Sequence, residues 1–234
     1  MSKTDFENQL AIIMAIPGVE IRKPDIPIDV FLQEAENLNL VAGQDQAALV
    51  GAGLKWEKFG ASLEEKAGAL RYAQSNWITT RYSQEEAERQ WDERSGVAYE
   101  LKDDLIADYR FAFRYREDLL SRLSEVVSGT SHADMIQDLS DLAALGKIGQ
   151  EELAAINFNE SKLVEAETMA DELGIVLAKA NEQGEKSEAK LIRDKAFTLL
   201  REAVDEIRIT GKYVFRKDKE RQKAYTSPYN RQKG

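Results

Sequence analysis

The strongest constraint on the fold of this chain is the helical spacing of its apolar residues. Between Tyr99 and Val126 these residues recur at intervals of three, four and seven positions, which places them on one face of a long helix. A second stripe with the same spacing runs from Leu191 to Tyr213. No segment combines sustained alternation with β-branched residues and hairpin turns, so strands are not expected. The sequence therefore predicts an all-α helical bundle.

Capping signals predict where two of the helices begin. Ser83 with Glu86, and Ser131 with Asp134, have the spacing of a capping box, and each precedes a strong apolar pattern. In a capping box the hydroxyl accepts from an N–H of the first turn, and the carboxylate accepts from the N–H of the cap residue. We therefore expect helices to start at Ser83 and at Ser131.

Proline marks a boundary near the N-terminus. Three of the four prolines lie within residues 17–27. Proline removes a backbone donor and disfavours helix in the residue before it. Residues 1–28 are therefore predicted to form a short N-terminal helix followed by a proline-rich, extended connector.

An internal repeat indicates that one helical unit occurs twice. FLQEAENLNL at 31–40 aligns with MIQDLSDLAA at 135–144, an offset of 104 residues. The later halves agree more loosely, with Phe113–Arg114 matching Phe215–Arg216 at an offset of 102. The alternative is chance, because any two amphipathic helices share some similarity. A true duplication would give the fold an internal repeat of helical modules.

A shared stop signal supports the duplication. At the offset of 104, QAALVGAGL at 46–54 falls on QEELAAINF at 150–158, so that Gly53 meets Asn157. Glycine and asparagine are the residues that most readily adopt the left-handed conformation just after a helix C-terminus. We therefore expect a short helix to end in the same way in both copies.

The duplication predicts the domain organisation. The two helical units would cover residues 29–128 and 133–226, with residues 212–234 forming a basic, aromatic C-terminal segment. The units would pack either as one continuous bundle with pseudo-twofold symmetry or as two smaller bundles.

Composition restricts the chemistry that the chain can perform. It has 234 residues, no cysteine and a single histidine, His132. This excludes disulfides, thiolate metal sites, a cysteine nucleophile and a multi-histidine metal site within one chain. No Walker loop, dinucleotide fingerprint or nucleophile elbow is present. We therefore expect no cofactor, and a non-enzymatic role is favoured over an enzymatic one.

One acidic cluster is a candidate metal site. Asp134, Asp138 and Asp141 are spaced by four and three residues, so they share a helix face. Their oxygens suit a divalent cation, and an enzymatic function would need such a site. The alternative is structural, because Asp134 would cap the helix and acids in its first turns favour the positive end of the helix dipole.

Charge is distributed unevenly along the chain. The net charge is −10, yet residues 212–234 carry eight Lys and Arg against two acids. This segment would dock on an acidic surface, either of its own bundle or of a neighbouring subunit. Nucleic acid is the alternative, since aromatic rings stack on bases and cations meet phosphates, although an acidic body repels a polyanion. The candidate interaction residues are Tyr213, Phe215, Arg216, Tyr225, Tyr229 and Arg231.

The longest apolar run near the N-terminus does not favour a membrane location. Leu10 to Ile16 is too short to span a bilayer. Its flanks carry Asp5 and Glu7 and no strong basic region, which is atypical of a signal peptide. We therefore predict a cytoplasmic protein, and a membrane partner is not favoured.

The sequence as a whole favours a scaffold. We expect a non-enzymatic helical scaffold or self-assembling subunit that binds a protein partner or forms a homo-oligomer through its C-terminal segment. One alternative is a nucleic-acid-associated protein that binds through the same segment. The other is a membrane-active bundle that rearranges to expose LAIIMAI (10–16) and LVGAGL (49–54).

Two phrases of the sequence carry a resemblance. These are YVFRKDKERQKAYTSPYNR at 213–231 and SHADMIQDLSDLAALGK at 131–147. With them the chain resembles a group of poorly characterised all-helical bacterial proteins of comparable length. The resemblance implies a helical fold and a bacterial origin. It implies no active-site residues.

Overall fold

The structure, a computed structural model, describes residues 2–233, and it shows helices and no strand in that range. This confirms the predicted all-α class. A short 3-10 helix (Gly18–Glu20) lies in the proline-rich connector. In chain order the α-helices are α1 (Ser2–Ala15), α2 (Ile28–Gln44), α3 (Gln46–Gly51), α4 (Trp56–Phe59), α5 (Leu63–Ala112), α6 (Glu117–Val126), α7 (His132–Ile148), α8 (Gln150–Ala154), α9 (Ser161–Ala180), α10 (Gln183–Val214), α11 (Lys219–Lys223) and α12 (Pro228–Lys233).

The helices form two compact units. Unit 1 consists of Met1–Arg81 with Gly184–Gly234, and unit 2 consists of Tyr82–Gln183. This division differs from the predicted segments 29–128 and 133–226. The reason is that α5 continues without a break from the part of the chain in unit 1 into the part in unit 2, and α10 returns to unit 1.

Unit 1 is held together by apolar residues of α2, α5 and α10. The rings of Phe31 in α2 and Phe197 in α10 have their centroids 4.9 Å apart. Leu70 of α5 and Leu200 of α10 belong to the same buried cluster. Burial of each such side chain contributes about 1.5–3 kcal/mol. The core of unit 1 therefore joins residues that are far apart in the sequence.

The core of unit 2 is built from the later part of α5 with α6, α7, α8 and α9. At its centre Tyr109 of α5 is fully buried, and its hydroxyl donates to the carbonyl oxygen of Leu142 over 2.8 Å. This contact requires glycine at position 146, because a Cβ there would overlap the Tyr109 hydroxyl. Burial raises the pKa of Tyr109, so the hydroxyl remains a donor at neutral pH.

The two segments that align at an offset of 104 residues follow the same order of elements. Helices α2 and α7 are both 17 residues long, and their first residues lie 104 positions apart, as do those of α3 and α8. Gly53 and Asn157 have φ angles of 97° and 57°, and no other described residue has φ in the left-handed region. The predicted left-handed stop is therefore confirmed in both segments. In each, the next residue donates its N–H to the last turn, Leu54 to Leu49 and Phe158 to Leu153, both over 3.1 Å.

Of the two predicted helix starts, one is confirmed and one is wrong. The hydroxyl of Ser131 accepts from the N–H of Asp134 over 3.1 Å, and the Asp134 carboxylate accepts from the N–H of Ser131 over 2.8 Å. Ser83 instead lies inside α5, which is 50 residues long. No proline interrupts α5, and the Glu and Ala residues that follow Ser83 favour helix continuation.

The segments proposed for membrane action pack partly inside unit 1. Ile13 of the first segment and Leu49 and Leu54 of the second belong to its buried cluster. No helix within residues 2–233 combines the length and the apolar character needed to cross a bilayer.

Candidate functional site

Two acidic residues, one within α2 and one directly after it, bind the C-terminal segment to the rest of unit 1. Glu34 lies inside α2, and Asp45 directly follows it. Both accept hydrogen bonds from residues more than 170 positions further along the chain. Neither acid was assigned a role by the sequence, although Glu34 aligns with Asp138 in the repeat.

Glu34 is a buried carboxylate with three donors. Its exposed fraction is 7%. It accepts from Nη2 of Arg208 over 2.7 Å, from the hydroxyl of Ser227 over 2.9 Å and from the N–H of Tyr229 over 2.9 Å. Burial alone would raise the pKa of Glu34, but these hydrogen bonds and the charge of Arg208 outweigh it and lower the pKa. Glu34 is therefore ionised and holds the chain end near Ser227 and Tyr229.

Asp45 binds α11 and the turn after it, which precede Ser227 in the chain. It accepts from Nε of Arg221 over 2.8 Å and from the hydroxyl of Tyr225 over 2.6 Å. Burial would raise the pKa of Asp45, and the bonds from Arg221 and Tyr225 lower it overall. The ring of Tyr225 is fully buried and stacks on Phe215 at 5.6 Å. Gly211 allows this packing, because a Cβ there would overlap the Tyr225 ring.

The six candidate interaction residues therefore divide into an inner and an outer group. Phe215, Tyr225 and Tyr229 pack against the core of unit 1. Tyr213, Arg216 and Arg231 are exposed. Tyr225 and the N–H of Tyr229 bond to acids of unit 1, and Phe215 stacks on Tyr225. The outer three side chains are the exposed ones. Sequence spacing did not separate the two groups, because the acids that Tyr225 and Tyr229 contact are far away in the sequence, in α2 and directly after it.

The end of α10, the turn after it and the start of α11 form a surface that we call the basic corner, consisting of Tyr213, Arg216, Lys217 and Lys219. Tyr213 is 60% exposed. The guanidinium of Arg216 lies 4.6 Å from the centroid of the Tyr213 ring, and its Nη1 donates to the Tyr213 carbonyl oxygen over 2.9 Å. Within the described residues none of the three cations forms an ion pair with an acid. The corner therefore presents three cations beside a single acid, Asp218, whose carboxylate caps α11.

The same local geometry occurs 102 positions earlier, at the end of α5 in unit 2. Phe111 is 58% exposed, and the guanidinium of Arg114 lies 4.4 Å from its ring centroid. Nη1 of Arg114 donates to the Phe111 carbonyl oxygen over 2.7 Å. The looser agreement between FAFR and YVFR in the sequence therefore corresponds to one shared arrangement of an exposed ring under an arginine.

The three aspartates proposed as metal ligands each have another role. Asp134 caps α7, and Asp138 lies 2.6 Å from Nζ of Lys102. Asp141 accepts from the side-chain amide of Gln137 over 2.9 Å. No group of three His, Cys, Asp or Glu residues suited to a metal ion occurs in the part of the chain that the structure describes. The arrangement therefore agrees with the structural alternative for Asp134.

The two units differ in net charge. Unit 2 contains 23 Asp and Glu against 10 Lys and Arg, a formal charge of −13. Unit 1 contains 19 Asp and Glu against 22 Lys and Arg, a formal charge of +3. The excess of acid identified in the sequence thus belongs to unit 2, and the basic corner belongs to the unit of opposite sign.

The lowered pKa values of Glu34 and Asp45 predict a loss of stability in unit 1 at acid pH. Because both pKa values are lower in the folded state, the two carboxylates stabilise it above their ordinary values of 4.5 and 3.8. This contribution disappears as the pH falls through the lower folded-state values. Urea unfolding should show a midpoint that declines below about pH 4.5. The decline should be smaller in Glu34→Gln, and an equal decline would contradict the assignment.

Comparisons with models of protein families, with curated proteins and with solved structures find no match. The resemblance to all-helical bacterial proteins stays a prediction. What the molecule does is therefore inferred from its own surfaces and charges.

Proposed function

We propose that this protein is a non-enzymatic helical scaffold subunit that self-assembles. In the proposed contact, the basic corner of one copy binds acids of unit 2 in a second copy. The observation that carries this proposal is the separation of charge, with −13 on unit 2 and an unpaired basic corner on unit 1. Complementary charge of this kind steers association and selects the partner.

The geometry of the basic corner suits a docking contact. Tyrosine and arginine are enriched among the residues that dominate binding energy in protein interfaces. Arg216 is already held by the ring and the carbonyl oxygen of Tyr213, so little side-chain freedom is lost on binding. By contrast Phe215 and Tyr225 are used to seat the segment, which leaves fewer rings for stacking on bases. This favours a protein partner over nucleic acid.

We propose that the surface bound by the basic corner is an acidic stripe of α5, consisting of Asp92, Glu100 and Asp103. All three are exposed, and none forms an ion pair within the described residues. Their spacing places them within about 80° of one another around the helix. Because the corner and the stripe are different surfaces, the contact is heterologous, and repeated copies would build a ring or a filament.

We also infer that the two units are copies of one module. The matching lengths of α2 and α7, the left-handed stops at Gly53 and Asn157, and the two arginine-covered rings support this. In unit 1 the module contains α10, and in unit 2 it contains the later part of α5. Each module would thus combine helices from both halves of the chain, and pseudo-twofold symmetry between them is part of this proposal.

Reversing charge at the basic corner should abolish self-association. Sedimentation velocity of the wild type at about 50 mM salt should show oligomers that dissociate at about 500 mM, where the screening length is much shorter. The variant Lys217→Glu with Lys219→Glu should be monomeric at both concentrations. The matched control is Lys23→Glu with Lys190→Glu, which makes the same charge change at exposed positions of unit 1 and should still assemble.

Three outcomes would contradict the proposal. If the wild type sediments as a monomer at low salt, the protein does not self-assemble. If both charge-reversal variants lose association to the same extent, only the net charge matters. Tight binding of an oligonucleotide by the monomer, lost only in the corner variant, would favour the nucleic-acid alternative. A steep dependence of that affinity on salt would identify phosphate contacts.

A further inference from the structure

A cavity of about 490 Å³ opens in unit 1 between α10 and the chain that follows α11. Four cations line it, namely Arg201, Arg208, Lys212 and Arg231, together with a single acid, Asp205. Its polar lining also includes Thr226 and Asn230. The volume falls within the range of about 300–1,000 Å³ that is typical of small-molecule sites.

The cations of this cavity are only partly neutralised by the protein. Asp205 is shared between Arg201 and Arg22, and Arg201 also reaches Asp25 over 2.8 Å. Arg208 donates to Glu34 through Nη2, and its Nε is buried without a hydrogen-bond partner. Lys212 and Arg231 form no ion pair within the described residues. The cavity therefore keeps positive charge that a bound anion would balance.

We propose that this cavity binds a small molecule that carries a phosphate or diphosphate group. Guanidinium groups match phosphate oxygens with paired N–H donors, and lysine adds a point charge. Thr226 and Asn230 supply polar groups at the same wall, while the exposed side chain of Ile209 offers an apolar edge for the rest of the ligand. Lys212 and Arg231, the two lining cations without an ion pair, favour an anion with two charges over a single carboxylate.

Binding of an anion in this cavity would also stabilise the packing of the C-terminal segment against α10. Arg201, Arg208 and Lys212 lie on α10, whereas Arg231 lies on α12. An anion that contacts both helices would bridge them, and a ligand that binds only the folded state raises the free energy of unfolding. This inference does not rest on the proposed assembly, because no residue of the basic corner lines the cavity.

The test is calorimetric titration with sodium pyrophosphate at constant ionic strength, using the full chain. The wild type should bind one pyrophosphate per chain, and Lys212→Gln with Arg231→Gln should weaken binding by roughly tenfold or more for each cation removed. The matched control is Lys23→Gln with Lys190→Gln, which removes the same charge at exposed positions of unit 1 outside the cavity and should bind within about threefold of the wild type. Urea unfolding without ligand verifies that both variants fold, since none of these four side chains has an ion-pair partner in the described residues.

The outcomes separate this inference from the proposed function. No heat with the wild type, or equal weakening in the two variants, would overturn the cavity site. The cavity variant should still sediment as an oligomer at low salt, so a failure of assembly and a failure of anion binding are distinguishable. Vesicles that contain phosphatidic acid present the same group on a lipid. Binding of those vesicles that depends on Lys212 and Arg231 would support the phosphate chemistry and assign its source to a headgroup.

Discussion

Replacing Glu34 with glutamine is expected to destabilise unit 1 by about 3–5 kcal/mol, the usual effect of removing one partner of a buried ion pair. The side chains of Glu34 and Arg208 are only 6% and 11% exposed, so the guanidinium would stay buried without its counter-charge. The amide that replaces the carboxylate would also weaken the bonds from Ser227 and Tyr229. Urea unfolding would measure the loss, and hydrogen exchange should rise first in residues 212–231.

The control lies two residues further along α2. Glu36 pairs with Arg71, and both side chains are about half exposed. Exposed pairs contribute at most about 1 kcal/mol, so Glu36→Gln should change the free energy of unfolding by less than that. If the two variants lost equal stability, Glu34 would not be the residue that seats the C-terminal segment. If hydrogen exchange in residues 212–231 of Glu34→Gln were the same as in the wild type, the same conclusion would follow.

Features that depend on a few neighbouring residues were predictable from the sequence. The left-handed stops at Gly53 and Asn157 follow from the backbone freedom of glycine and asparagine, and the capping box at Ser131 follows from a reach of three residues. The same reasoning failed at Ser83. A serine with a glutamate three residues later also fits a helix interior, and only the uninterrupted pattern on both sides distinguishes the two.

The division into units was not predictable from periodicity. An apolar stripe shows which face of a helix is buried, but it does not show which other helix covers that face. The stripes of α5 and α10 are therefore compatible with units that are continuous in sequence and with the observed ones. The choice depends on contacts between residues that are far apart, such as Phe31 with Phe197.

The candidate site was predictable in composition but not in detail. The basic and aromatic character of residues 212–234 is plain in the sequence, yet the burial of Tyr225 depends on Asp45, 180 positions away. One overlooked signal was available. Glu34 lies on the apolar face of α2 with Phe31 and Leu38, three residues after the first and four before the second. An acid at such a position has to be paired, so it indicates a buried cation elsewhere in the chain.

The second large effect is expected at the ion pair of unit 2. Asp138 of α7 and Lys102 of α5 have side chains only 5% and 12% exposed, with Oδ2 and Nζ 2.6 Å apart. Replacing Asp138 with asparagine would leave the lysine buried without its nearest counter-charge. The carboxylate of Asp134, whose pKa is lowered mainly by hydrogen bonds from Ser131 and in part by the charge of Lys102, is close enough to compensate partly. We therefore expect a loss of about 3 kcal/mol, the lower end of the range for such pairs.

A double variant tests the physical cause. Lys102→Met with Asp138→Leu removes both charges and keeps apolar volume, so its stability should equal or exceed that of the wild type. Because Oδ2 of Asp138 and Nζ of Lys102 are 2.6 Å apart and both side chains are nearly buried, the double variant removes the two charges together and leaves neither unpaired. Urea unfolding of the single and double variants gives the coupling energy between the two residues. If the double variant were as unstable as Asp138→Asn, the loss would arise from packing of α7 against α5 and not from an unpaired lysine.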